Sequence, residues 1–232
     1  MLLLPAGLTA ANADSHRVVA DWQMSDDAGT EVMFDSSGNR NHGVISKDAA
    51  ADGLSTGVDF TSEDTGYRWG SVRPNVDIKP GRVVRASSSA LNPGTRDWAI
   101  SFRYRTDRPY GNIIQKGQSQ AKGGQIKFQL PRGQVSCMFK DGSGVRRSIK
   151  TLKRYDDYEW HVVKCVRTGA GVTLTVDEGT SNAERRFIRG SSGSISNTVP
   201  MTVGGKPNCD QIEITCDYFE GDIDWVTVED LS

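Results

Sequence analysis

Near the C-terminus, Glu220-Gly221-Asp222-Ile223-Asp224 places three carboxylates at i, i+2 and i+4. Alternate residues of a strand share a face, so Glu220, Asp222 and Asp224 would line one cleft. Retaining glycoside hydrolases need two carboxyls about 5–5.5 Å apart, one as nucleophile and one as acid/base. A second group of oxygen ligands lies in the loop Phe34 to Gly43, FDSSGNRNHG. Calcium takes about six to eight hard oxygens on a loop that can curl. Asp35, Asn39 and Asn41 supply such oxygens, and Gly38 permits the curl. The alternative is an Asx-type turn whose side chains bond the backbone.

Other chemistry is thinner. His16, His42 and His161 are far apart, no nucleophile-elbow pattern occurs, and Gly204-Gly205-Lys206-Pro207 lacks the spacing of a phosphate-cradling loop. Cys137, Cys165, Cys209 and Cys216 form an even set. Four cysteines allow three pairings. Cys137 and Cys165 fall in strand-like segments and Cys209 and Cys216 flank a short loop, which favours Cys137–Cys165 and Cys209–Cys216 over a zinc site. Sugars stack on aromatic faces, and Tyr67, Trp69, Tyr104, Tyr110 and Tyr155 lie near loops or on sheet faces. Among these, Tyr104 and Tyr110 are the expected carbohydrate-binding pair. Trp22, Trp98, Trp160 and Trp225 are assigned to the core.

The elements that must position these residues are strands. Trp160 to Gly179 organises the chain: Val172, Leu174 and Val176 alternate with Thr173, Thr175 and Asp177 around a Gly169-Ala170-Gly171 turn. Short alternating runs recur from Arg17 to Val228, whereas Ser62 to Pro80 shows no clear period. About a dozen strands without helical connections mean antiparallel pairing in two stacked sheets. The chain has 232 residues and a net charge of -1, which gives no bulk electrostatic reason to expect nucleic acid or an anionic membrane as partner. The pairs Arg146-Arg147 and Arg185-Arg186 read as solvated edges and turns. Leu2 to Ala10 resembles the apolar core of a secretory leader with a small-x-small cleavage pattern at Ala11-Asn12-Ala13, and is too short to span a bilayer. Residues 1–13 are thus expected to be leader, and 14–232 a single exported domain.

Five pieces in order carry a resemblance: Asp35 to Gly43, Trp160-His161, Val176-Asp177, Gly193-Ser194-Ile195 leading to Thr202-Val203-Gly204-Gly205, and Gly221-Asp222-Ile223-Asp224-Trp225-Val226. They resemble the laminin G-like domains of the concanavalin A-like lectin/glucanase superfamily, particularly those of secreted bacterial proteins, over about residues 17–230. The resemblance implies an all-β jelly-roll sandwich that binds glycans or proteins, often with a structural calcium. It also implies that the first and last strands lie side by side, so that Asp222 or Asp224 completes the Asp35 shell. Laminarinase-type relatives carry Glu-x-Asp-x-Glu or Glu-x-Asp-x-x-Glu on a strand; here the final acid is Asp224 and residue 225 is Trp, which departs from that pattern. The expected function is secreted, non-catalytic recognition of an extracellular polysaccharide or glycoconjugate. A glycoside hydrolase or polysaccharide lyase, and a protein-adhesion domain, are the alternatives.

Overall fold

A computed structural model describes residues 16–51, 53–72, 83–208 and 216–232. The expected leader and Cys209 lie outside the described residues. In chain order the strands are β1 (Arg17–Trp22), β2 (Val32–Met33), β3 (Gly43–Ile45), β4 (Leu54–Thr61), β5 (Asp64–Trp69), β6 (Val84–Ala86), β7 (Trp98–Arg105) and β8 (Asn112–Lys116). They continue as β9 (Gln125–Gln129), β10 (Ser136–Lys140), β11 (Arg146–Lys150), β12 (His161–Arg167), β13 (Gly171–Val176), β14 (Glu184–Arg189), β15 (Met201–Val203) and β16 (Gly221–Asp230). One short helix, Lys47–Ala51, precedes β4.

The strands form two antiparallel sheets. The first has the order β14-β13-β12-β7-β16-β5-β4, with β1 pairing the far half of β16; the second runs β11-β10-β9-β8-β15-β6-β3-β2. This is the expected sandwich. Ile100, Phe102 and Tyr104 point inward from β7, and Phe102 meets Phe128 of the opposite sheet edge-to-face at 5.3 Å. Cys165 of β12 is bonded to Cys137 of β10, a covalent tie between the sheets. Closing a loop of 28 residues is worth about 3–4 kcal/mol. Cys216 is also disulfide-bonded.

Two expectations are corrected by strand parity. Trp160 and Cys165 are five residues apart, so they point to opposite faces. With Cys165 in the core, Trp160 is half-buried on the outside of the first sheet. Trp225 is likewise half-buried, because Val226 and Val228 take the inward positions of β16. Strand β5 falls in the stretch that shows no period. Its first half, Asp64-Thr65-Gly66, has no apolar residue; Tyr67 and Trp69 then turn inward. Gly204, at φ +87°, leaves room for the Trp69 indole, which a Cβ would overlap.

Candidate functional site

The three C-terminal acids all sit beside the guanidinium groups of neighbouring strands. Asp222, 1% exposed, accepts from Arg68 Nε at 2.8 Å and Arg105 Nε at 2.7 Å. Asp224 and Asp64 share Arg103, whose Nη1 lies 2.7 and 3.0 Å from their oxygens. Burial pushes the Asp224 carboxyl above its usual value, Arg103 opposes this and Asp64 adds to it. Glu220 receives Arg108 Nε at 2.9 Å, the Val72 N–H at 2.9 Å and the Ser71 hydroxyl at 3.2 Å. The arginines are themselves stacked on aromatics: Arg103 lies 4.5 Å from the Trp160 ring centroid, and Arg105 lies 4.8 Å from Phe60 and 4.9 Å from Tyr158. At Asp222 two guanidiniums fix the carboxylate in place and occupy the oxygens that would attack a sugar carbon. This face is a cross-braced lattice.

The loop at 35–43 is likewise occupied with its own backbone. Asp35 accepts from the N–H groups of Asp21, Ser37 and Asn41 at 2.8–2.9 Å. Burial pushes its carboxyl up, but the bonds from Ser37, Asp21 and Asn41 prevail and hold it below the usual value. The Asn39 and Asn41 amides donate to the Val18 and Val19 carbonyls of β1, and Trp22 Nε1 donates to Asn41 O at 2.8 Å. Among the described residues no three His, Cys, Asp or Glu side chains gather to hold a metal ion. With Asp222 and Asp224 on arginines, the five expected ligands do not fit a calcium shell. Asp35, Asn39 and Asn41 fit the Asx-type brace that pins the loop to β1.

The expected sugar-stacking pair is also corrected. Tyr104 is 0% exposed, with its hydroxyl donating to Tyr155 O at 2.9 Å, whereas Tyr110 is 65% exposed on the β7–β8 connection. Tyr104 alternates with Phe102 and Ile100, so the pleat directs it into the core. Tyr67, Trp69 and Tyr155 are buried too.

What the sequence reading passed over lies at one edge of the sandwich. Strands β11 and β14 are the edge strands of the two sheets, and β11 packs against β14. They bring Arg146, Arg147 and Lys150 beside Arg185, Arg186 and Arg189. Arg147 Nε donates to Gly190 O at 3.0 Å, and Lys150 Nζ donates to Gln134 Oε1 at 2.8 Å. Among the described residues none of the six forms an ion pair with a carboxylate. Phe187, 55% exposed, stands between Arg185 and Arg189 on one face of β14. Gly171 of β13 makes room for it, since a Cβ there would come within 2.8 Å of the Phe187 ring. The strip is about 17 Å long at the usual strand rise. Two Arg-Arg pairs far apart in sequence were the available signal; their adjacency was not.

The two-sheet order, the inter-sheet disulfide and the β12–β13 hairpin can now be set beside known proteins. A laminin G domain profile matches residues 104–231. The chain belongs to the laminin G domain family. It is 31% identical over 157 residues to a laminin subunit alpha of Drosophila melanogaster, covering 64% of this chain and 4% of that protein. It is 24% identical over 98 residues to Neurexin-1a-beta of Danio rerio, covering 42% of this chain and 22% of that protein. This laminin G domain thus spans a small part of both relatives. Among solved structures, domain 4 of AbnA, a GH43 extracellular arabinanase from Geobacillus stearothermophilus in complex with arabinotriose, superposes with a TM-score of 0.57 at 12% identity over 93% of each chain, which establishes the shared fold. Among the described residues no helix is long and apolar enough to cross a membrane.

Proposed function

We propose that this laminin G domain is a secreted, non-catalytic module that holds an acidic extracellular carbohydrate along the β11–β14 edge. The observation that carries this reading is the strip itself: six cations with no carboxylate partner among the described residues, two of which, Arg185 and Arg189, share a face with the exposed Phe187, in a chain of net charge -1. Guanidinium groups take sulfate or carboxylate oxygens two at a time, and the apolar face of a sugar ring suits an aromatic platform. The Cys137–Cys165 bond fits an oxidising compartment. The arginine-clamped state of Glu220, Asp222 and Asp224 supports recognition over hydrolysis. The arabinanase domain, solved with arabinotriose, shares the fold.

The test is retention on an immobilised sulfated polysaccharide and on its desulfated counterpart. Retention on the first, eluted by salt as the Debye length falls below about 10 Å, and little on the second is expected. Equal retention on both, or none on either, would sink the reading.

A further inference from the structure

A groove of about 480 Å³ opens between the β6–β7 and β14–β15 connections, and Lys116 of β8 forms part of its lining. Lys116 lies two residues after the core residue Ile114 and faces inward with it, abreast of the buried Met201 of β15 and Ala86 of β6. A lysine is out of place in that row. It is 2% exposed, and its ammonium donates to Asn197 O at 2.9 Å, Asn197 Oδ1 at 3.1 Å and Val199 O at 2.5 Å. These carbonyls satisfy its three donors but carry no net charge. Among the described residues no carboxylate pairs with Lys116 or lines the groove. Burial alone pushes its amine down to about 8, with no neighbouring charge opposing the shift. A buried cation without a counter-charge is unfavourable, and an anion in the groove would supply one. The walls offer donors for it. Ser87, Ser89, Ser196 and Thr198 are exposed, and their hydroxyls bond no other group among the described residues. Asn92 Oδ1 accepts from the Asn197 N–H at 3.0 Å, while its Nδ2 bonds no protein group among the described residues. Val199 and Pro200 add apolar surface.

We infer that this groove is a second binding site, for a sulfate or phosphate ester carried on a single sugar ring. The ester oxygens sit in the field of the Lys116 ammonium and accept from the serine and threonine hydroxyls and the Asn92 amide. The ammonium keeps its three carbonyls, so its part is charge rather than a direct hydrogen bond. The volume falls within the range of ligand pockets, about 300–1,000 Å³, and leaves room for a ring beside the ester, its C–H face on Val199 and Pro200. An anion favours the charged amine, so affinity falls as pH rises through about 8 and Lys116 loses its proton. The arginines of the edge strip keep their charge through that range. The groove shares no residue with the strip and stands whether or not the strip binds a polysaccharide.

The experiment is a 1H–13C NMR titration of the whole chain with glucose 6-sulfate, glucose 6-phosphate and, separately, glucose. An ester should shift the Thr198 and Val199 methyl signals and the Lys116 Cε signal and saturate with a Kd on the order of 1 mM at neutral pH, glucose binding about 10-fold more weakly. The tighter of the two esters identifies the source of the anion. Its affinity should fall about 10-fold from about pH 7 to about pH 9. Lys116→Met keeps the length and removes the charge; it should weaken ester binding by about 10-fold or more and flatten that pH dependence. If Lys116→Met perturbs the fold, Ser89→Ala with Ser196→Ala, both exposed, should weaken binding several-fold and leave the pH dependence in place. The inference is overturned by signals that stay still with either ester at concentrations on the order of 50 mM, by an affinity that is level across this pH range, by binding that survives these substitutions, or by glucose binding as well as the esters. Arg185→Glu with Arg189→Glu disables the edge strip and should leave this titration unchanged, so either reading can fail alone.

Discussion

Two arginine-rich regions of this laminin G domain look alike in composition and differ in what their charges face. On the outside of the first sheet, Arg68, Arg103 and Arg105 each meet a carboxylate at 2.7–2.8 Å and stack on Phe60, Tyr158 or Trp160. At the β11–β14 edge, the six cations meet carbonyls, an amide or solvent. A guanidinium with an internal carboxylate has its field cancelled and its geometry fixed, so it holds the fold together. One without a carboxylate keeps its field outside the molecule, where an anion can use it. Arginine content alone therefore says little, and the partner decides the role.

The largest effect should follow from breaking the lattice. Asp222→Ala leaves Arg68 and Arg105 without their shared anion; both guanidiniums still reach solvent, so the loss is that of hydrogen bonds to a charged group, about 1.5–3 kcal/mol. Denaturant unfolding should show this loss, while Arg185→Ala at the edge should shift stability by less than about 0.5 kcal/mol. Similar costs at both places would erase the distinction. The reciprocal experiment is Arg185→Glu with Arg189→Glu: polysaccharide retention should vanish at about 0.1 M salt, with the unfolding midpoint unchanged. Phe187→Ala should act more mildly, weakening the same binding by a few-fold, about 1 kcal/mol. A Phe187→Ala variant that binds as the parent does would reduce the strip to charge alone.

The smallest effect concerns Asp35, held by neutral N–H groups rather than by arginines. Its carboxyl lies below the ordinary range. Its contribution is therefore complete above the unfolded value near about 4 and is lost as pH falls through the lower folded value. Asp35→Asn should flatten that acid limb in a pH series of melting curves and leave the edge's ligand retention alone. Added calcium or a chelator should leave the parent's melting temperature in place, because the Asp35 oxygens already accept from backbone N–H groups; a clear rise with calcium would overturn that account.

Much of the scaffold was readable from the chain. Val172, Leu174 and Val176 announce a half-buried strand, and the spacing of Cys137 and Cys165 in two strand-like runs points to the bond that joins the sheets. Strand β5 was hidden because Asp64-Thr65-Gly66 carries no apolar residue, and its place depends on the register with β16. Trp160 and Trp225 were misplaced by hydrophobicity alone, when counting parity from Cys165 and Val226 would have turned them outward. Tyr104 is inward for the same reason. For the acids, the shared face was legible. The arginines that clamp them come from β5, β7 and the turn after β7, more than a hundred residues away along the chain, and were not.

The amino-acid order by itself determined the layering, since a period of two sorts each strand into a dry and a wet side before any partner is chosen. Only the tertiary structure decided which charges cancel and which remain available. Coulomb interaction depends on distance through space, and folding sets that distance between Arg147 and Gly190, or Asp222 and Arg68, with little regard to their separation in sequence.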